Sequence, residues 1–331
     1  MTSKLINYNN NISLNSSKIC LSQHNLRLSA HFVEKIFIGI LLPPIILFGL
    51  IGNCLNLLIL LGGNKRKIAR SDILLSSLAL FDALFLILFL PNSLAHFDLF
   101  YLNNLFRKFY FLFKIHILAL INQCSAAAIW IILGVCFERF IAISNPLSIH
   151  KSRPFGIKLF LVIVIIATFL LTFYVHLSYQ CIIKIFCNGS QLYSFCFNID
   201  SNNPIIHAVF CCFYFQQNYL SGFIGHSDSL KTTKSLDLNR KSICLNTSRV
   251  EYRVTFIVTP SAIIQLFVGP VSAKDPYVTL RALTVFLVTL GKSLNFVIFC
   301  LNSASFRSRL INFVNSKINQ KRLSLTSRRS F

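Results

Sequence analysis

Apolar residues in this chain gather into long blocks, separated by short polar segments rich in Lys, Arg, Asn and Ser. Crossing a hydrocarbon core takes about 20 mainly apolar helical residues, because backbone polar groups must be satisfied within the segment there. The pattern predicts spans near residues 36–62, 72–93, 109–139, 157–178, 204–225, 254–273 and 279–302, an all-α membrane protein with seven transmembrane helices. The fifth run is the weak one. Its apolar stretch from Ile205 to Phe215 is short and is followed by Gln216, Gln217 and Asn218, so it either packs a polar cluster inward or is a damaged stretch of the gene model. Beyond the seventh run, Phe306, Leu310 and Phe313 recur at i, i+4 and i+7 beside Arg307 and Arg309, the pattern of a short cytoplasmic helix lying in the membrane interface. The expected organisation is an extracellular amino-terminal segment over 1–35, a seven-helix domain over 36–302, an amphipathic helix over 303–315 and a cytoplasmic tail over 316–331.

Composition agrees with lipid as the solvent: 54% of residues are hydrophobic, 13% are charged and the mean hydropathy is +0.64. The formal net charge of +22 is broken into short runs between apolar blocks, which excludes a nucleic-acid interface and fits loops facing an anionic leaflet of membrane lipids. Of the 32 Lys and Arg, 21 fall on the side that receives the first, third and fifth connections and the carboxyl terminus. By the positive-inside rule the amino terminus is therefore extracellular, as for a multi-pass protein of the plasma membrane. The acceptor sequons at Asn11, Asn15 and Asn188 all fall on that outer side, and a fourth at Asn246 falls inside. No secretory signal peptide is visible in the polar first 35 residues. Seven of the eleven cysteines sit in predicted spans or an inner loop as small buried hydrophobes, leaving Cys20, Cys181, Cys187 and Cys196 outside. The eight histidines are scattered and no metal spacing is present, so neither a metal nor a cofactor is expected.

Several intramembrane motifs line up. The first span carries Gly52-Asn53 and the second Leu78-Ala79-Leu80-Phe81-Asp82. The third ends in Glu138-Arg139-Phe140, with Trp130 nine residues before the arginine and Pro146-Leu147 beyond it. The seventh carries Asn295-Phe296-Val297-Ile298-Phe299, followed by Phe306-Arg307. Together these resemble the rhodopsin-like (class A) G-protein-coupled receptors, over about residues 36–315. The resemblance implies that Arg139, with Glu138, Phe140, Asn295 and Phe299, serves coupling to a heterotrimeric G protein, and that Glu251 restrains Arg139 at rest. It also implies that Asn53, Asp82, Lys292 and Asn295 line one buried polar pocket, which in the family often holds a sodium ion. Asp82 would be costly in an apolar run unless it met a polar partner, so the residue stands on its own as functional. Two unpaired buried charges would each be costly, so Lys292 is expected to pair with Asp82. The bland alternatives are a neutral Asp82, a Lys292 that snorkels elsewhere, and an Arg139 that merely anchors the membrane edge.

The chain also departs from the family. Lys114 stands where the third span's disulfide cysteine is expected, the fourth span has no tryptophan, the fifth no mid-depth proline, and Val268 replaces the aromatic toggle near Pro270. The outer cysteines are expected to pair locally instead, with Cys187 and Cys196 bracketing a hairpin turned at Asn188-Gly189, although connectivity is not fixed by sequence. Ile121 stands where aminergic receptors carry an aspartate and Thr289 where opsins carry their lysine. What remains resembles invertebrate neuropeptide receptors of the FMRFamide type, which implies an extracellular peptide ligand, although ten Lys and Arg against four acids outside suit a cationic peptide poorly. A chemosensory receptor of the same fold stays open. A transporter or channel is the reading from another class; no internal repeat supports it. No nucleophile, metal or acid pair is assembled at depth, so an enzyme is not expected.

Overall fold

The structure is a computed structural model in which residues 20–22, 26–28, 32–62, 70–144, 155–198, 275–302, 306–316 and 318 are described. Its helices, numbered here in chain order, are α1 (Phe32–Leu61), α2 (Arg70–Leu94), α3 (Asn104–Ser144), α4 (Phe155–Ser178), α5 (Asp275–Asn302) and a short α6 over 306–316. A single turn, Asp98–Tyr101, joins α2 to α3. A hairpin of β1 (Tyr179–Phe186) and β2 (Gln191–Asn198) follows α4. Five helices among the described residues, α1 to α5, are long and apolar enough to cross a membrane. The predicted spans 204–225 and 254–273 lie outside the described residues, as do Glu251, Asn11, Asn15 and Asn246.

Packing runs in sequence order, with α2 against both α1 and α3, α4 against α3, and α5 closing against α1. One core cluster joins Ile46, Phe85, Leu86, Ile121, Cys124 and Val288, and a second joins Leu74, Leu78, Ala128, Ile131 and Val135. The α4 face bearing Leu159, Val162, Ile166 and Leu170 is exposed, which suits lipid rather than water. Helix association in lipid favours small residues that let backbones approach. Gly49 and Gly52 do this here: a Cβ at Gly49 would collide with Ser293, and one at Gly52 would lie 2.7 Å from the Phe296 Cβ. The α1–α5 contact is therefore closed to larger side chains at both positions.

The first helix is not uniform. Residues Lys35–Leu41 form a π-helical turn ahead of Pro43 and Pro44. Proline has no N–H to donate, so the i→i−4 ladder is interrupted and the preceding turn widens. The Ile38 carbonyl in that turn accepts a bond from the Ser93 hydroxyl of α2 at 2.5 Å. A proline pair thus prepares a joint between α1 and α2.

At the other end of the bundle, α6 turns Phe306, Leu310 and Phe313 toward the protein and leaves Arg307 and Arg309 exposed. Phe306 packs near the Phe296 and Phe299 rings, 6.3 Å and 6.1 Å between centroids. Arg307 donates to the Cys300 and Leu301 carbonyls, groups left without intrahelical partners as α5 ends. Arg309 pairs with Asp72 of α2 at 3.0 Å.

Candidate functional site

The polar pocket sits between α1, α2 and α5. Asp82 is 1% exposed, in the middle of an apolar helix, so its carboxylate must find donors inside the protein. Lys292 Nζ donates to Asp82 Oδ1 at 2.8 Å, and Asn295 Nδ2 donates to Asp82 Oδ2. Both carboxylate oxygens are therefore taken. Asn53 Nδ2 donates to the Gly49 carbonyl at 3.0 Å and to the Lys292 carbonyl at 3.3 Å, which ties α1 to the backbone that carries the lysine. The ammonium also lies 4.8 Å from the centre of the Phe85 ring, a favourable place for a cation. All four pocket residues expected from the sequence are brought together.

The resemblance implies a sodium ion at this place, and the residues present do not fit one. The lysine supplies the positive charge that Asp82 requires, and a second cation against the same carboxylate would be repelled. Cys124, Ala128 and Gly291 add no oxygen side chain to the pocket's walls. What the arrangement holds is a covalently tethered cation.

Of the remaining expected residues, Glu138, Arg139 and Phe140 lie within α3, with Glu138 partly buried. Phe299 lies on α5, one helical stretch beyond Asn295, against the second core cluster and Phe306.

The opposite end, where the hairpin sits, carries a second constellation that sequence reasoning missed. The Asn188-Gly189 turn is present, with φ of 51° at Asn188 and 94° at Gly189. Asn and Gly are the residues that adopt left-handed backbone most cheaply. The disulfide expectation needs correcting, because Cys187 bonds to Cys20 rather than to Cys196. The reason is register. Cys187 sits in the turn just beyond the Phe186–Gln191 pair, whereas Cys196 stands opposite Cys181 far down the ladder. At about 3.3 Å per residue that separation is beyond a disulfide's reach. Cys181 is itself disulfide-bonded.

The same hairpin is held by hydrogen bonds. Gln191 Oε1 accepts from the Leu21 amide at 2.7 Å and its Nε2 donates to the Leu21 carbonyl at 3.1 Å. Arg107, near the start of α3 and 1% exposed, donates to the carbonyls of Leu26 at 2.7 Å, Tyr101 at 2.9 Å and Leu192 at 2.8 Å. Its guanidinium lies 5.2 Å from the Phe111 ring centre. One side chain so joins the amino-terminal segment, the α2–α3 turn and the hairpin, at the end of α3 that lacks the family's cysteine. Backbone carbonyl partners leave no trace in a sequence, so nothing in the residue pattern marks Arg107. Glu34 and Arg281 form a further cross-link at 2.5 Å between α1 and α5.

Arg107→Ala should therefore destabilise this end, since hydrogen bonds from a charged group are worth roughly 1.5–3 kcal/mol and three carbonyls lose their donor. Arg107→Lys should recover only part of the loss, because an ammonium lacks the planar fork. Thermal midpoints of the purified full-length protein, with the disulfides intact, measure both.

No family model matches the chain. It is 35% identical over 338 aligned positions, spanning 90% of this chain and 78% of the relative, to F59B2.13 of Caenorhabditis elegans, a protein provisionally named a G-protein coupled receptor. The apolar helices, the buried polar pocket joining three of them and this extended similarity lead to one conclusion: the chain belongs to the G-protein-coupled receptors.

Proposed function

We propose that the protein is a rhodopsin-like receptor of seven spans that carries an extracellular peptide signal to a heterotrimeric G protein. The observation that carries this reading is the meeting of Asp82 with Asn295 and Lys292, which joins motif residues more than 200 positions apart in sequence. In this reading Arg139, flanked by Glu138 and Phe140, serves the G protein, and Glu251 restrains it. Asn295 and Phe299 relay the state of the polar pocket toward α6. The spans are those the hydropathy pattern gives, the two between β2 and α5 included.

The extracellular placement of the amino terminus has support independent of charge counting. A disulfide joins the amino-terminal segment to the hairpin, and disulfides persist in oxidising compartments. The sequons at Asn11, Asn15 and Asn188 fall on the same side, and Asn188 is exposed at the hairpin's tip. Glycosidase-sensitive mass should accordingly respond to Asn→Gln changes among these three and stay unchanged in Asn246→Gln. A shift lost in Asn246→Gln would reverse the orientation.

The ligand class rests on the FMRFamide-type resemblance and the polar amino-terminal segment. A library of amidated and free-acid neuropeptides, applied to transfected cells with a G-protein activation reporter, tests it. At least one peptide should activate the reporter in a dose-dependent way. Activation by small odorants with no peptide response would instead favour a chemosensory receptor.

A further inference from the structure

The histidines are scattered in sequence, but the fold brings two of them face to face. His116 of α3 and His176 of α4 are 60 positions apart, and their Nδ1 atoms stand 2.8 Å from one another. The rings are nearly parallel, with centroids 5.0 Å apart and an interplanar angle of 28°. His176 lies in the last turn of α4, three residues before the hairpin begins at Tyr179. His116 is exposed and His176 half-buried, with the Phe173 ring 5.8 Å from that of His176. The pair thus lies at the hairpin end of α4, with the His116 ring accessible at the surface of the bundle. Groups of three or more metal-binding side chains are absent among the described residues, so the two imidazoles act alone.

A contact of this kind requires one Nδ1 to donate and the other to accept, so the accepting Nδ1 already carries a lone pair and only the shared proton covers it. Moving the shared proton to the first ring's Nε2 leaves both rings neutral and frees both lone pairs. Two Nδ1 atoms on a tetrahedral zinc ion, each at about 2.0–2.1 Å, lie roughly 3.3 Å apart. The observed separation is about half an ångström shorter and the two Nδ1 atoms point at one another, so binding also swings both rings until their lone pairs converge on one ion. Imidazole suits zinc and its neighbours in the divalent series and not calcium or magnesium.

We propose that His116 and His176 form a two-imidazole site for a zinc-class divalent cation, completed by water, that braces α3 against α4 beneath the hairpin. Bound metal adds a link between two helices and stabilises the folded state by mass action. The site is independent of which ligand the receptor recognises.

The test uses the purified full-length protein in lipid nanodiscs with zinc chloride alone, reading the thermal midpoint. Cobalt absorption reports the ligand set in parallel. Zinc should raise the midpoint of the wild type, and His116→Asn and His176→Asn should each weaken the half-saturating concentration by more than about tenfold. That is the lower end of what removing a residue that only orients a metal ligand costs. Asparagine keeps polarity and helix geometry, and metal-free midpoints show whether each variant folds. Should one variant not fold, the cobalt spectrum of the wild type decides, since two nitrogen ligands must appear in it. A wild type that does not respond to zinc, or a response that survives either substitution, would overturn the proposal.

Discussion

Lys292→Met and Asp82→Asn should each reduce the amount of folded receptor at the cell surface, and the double variant should recover part of the loss. The wild-type pair is buried with its ion contact at 2.8 Å, and both Asp82 oxygens accept hydrogen bonds. Removing the ammonium leaves a carboxylate with Asn295 as its one remaining donor among the described residues. Removing the carboxylate leaves a cation among Phe85, Cys124 and the α5 backbone. In soluble proteins, breaking such a pair from one side costs about 3–5 kcal/mol, because the surviving charge is uncompensated. Replacing both partners by neutral groups removes that penalty, so the cycle should show strong coupling. Strictly additive losses would mean that the two charges do not depend on one another. The same geometry predicts that sodium leaves agonist affinity unchanged, since the tethered ammonium stands where the ion would bind. A clear sodium effect on the wild type would contradict the pocket as described.

The second large effect is expected at Arg139. Arg139→Ala should abolish agonist-evoked signalling at matched surface expression, and Arg139→Lys should not restore it, because lysine does not reproduce the guanidinium's directional hydrogen bonds. Arg139 lies in the final turns of α3, away from the Asp82 pocket and from the hairpin end, so its loss should spare folding. Surface biotinylation alongside a G-protein reporter separates the two outcomes. Full signalling by Arg139→Ala would show that coupling does not pass through this motif.

The polar pocket was legible in the sequence because lipid leaves buried charges so few choices. Asp82 and Lys292 each stood in an apolar run, and the energetic cost of either alone implied the other. Hydropathy also marked the five described membrane helices, but not their ends. Helix α3 runs from Asn104 to Ser144, past its apolar stretch on both sides, because a helix continues wherever its backbone bonds and packing continue. The π turn over Lys35–Leu41 was not foreseen, although Pro43 and Pro44 were the local cause.

The hairpin end was read only in part. The Asn188-Gly189 turn follows from local backbone preference, whereas the partner of Cys187 is set by a chain segment 167 positions away. Four outer cysteines admit three pairings, and nothing local chooses among them. Arg107, Glu34–Arg281 and His116–His176 share this character: each is made by distant segments meeting in space, with no motif to announce it.

Nucleotide exchange on a purified heterotrimeric G protein, reconstituted in nanodiscs with the full-length receptor, tests the central claim most directly. With a peptide taken from the library screen, the wild type should accelerate exchange and Arg139→Ala should not. Exchange that stays at the rate of the G protein alone, while vesicles carrying the same protein show ion or solute flux, would contradict the account.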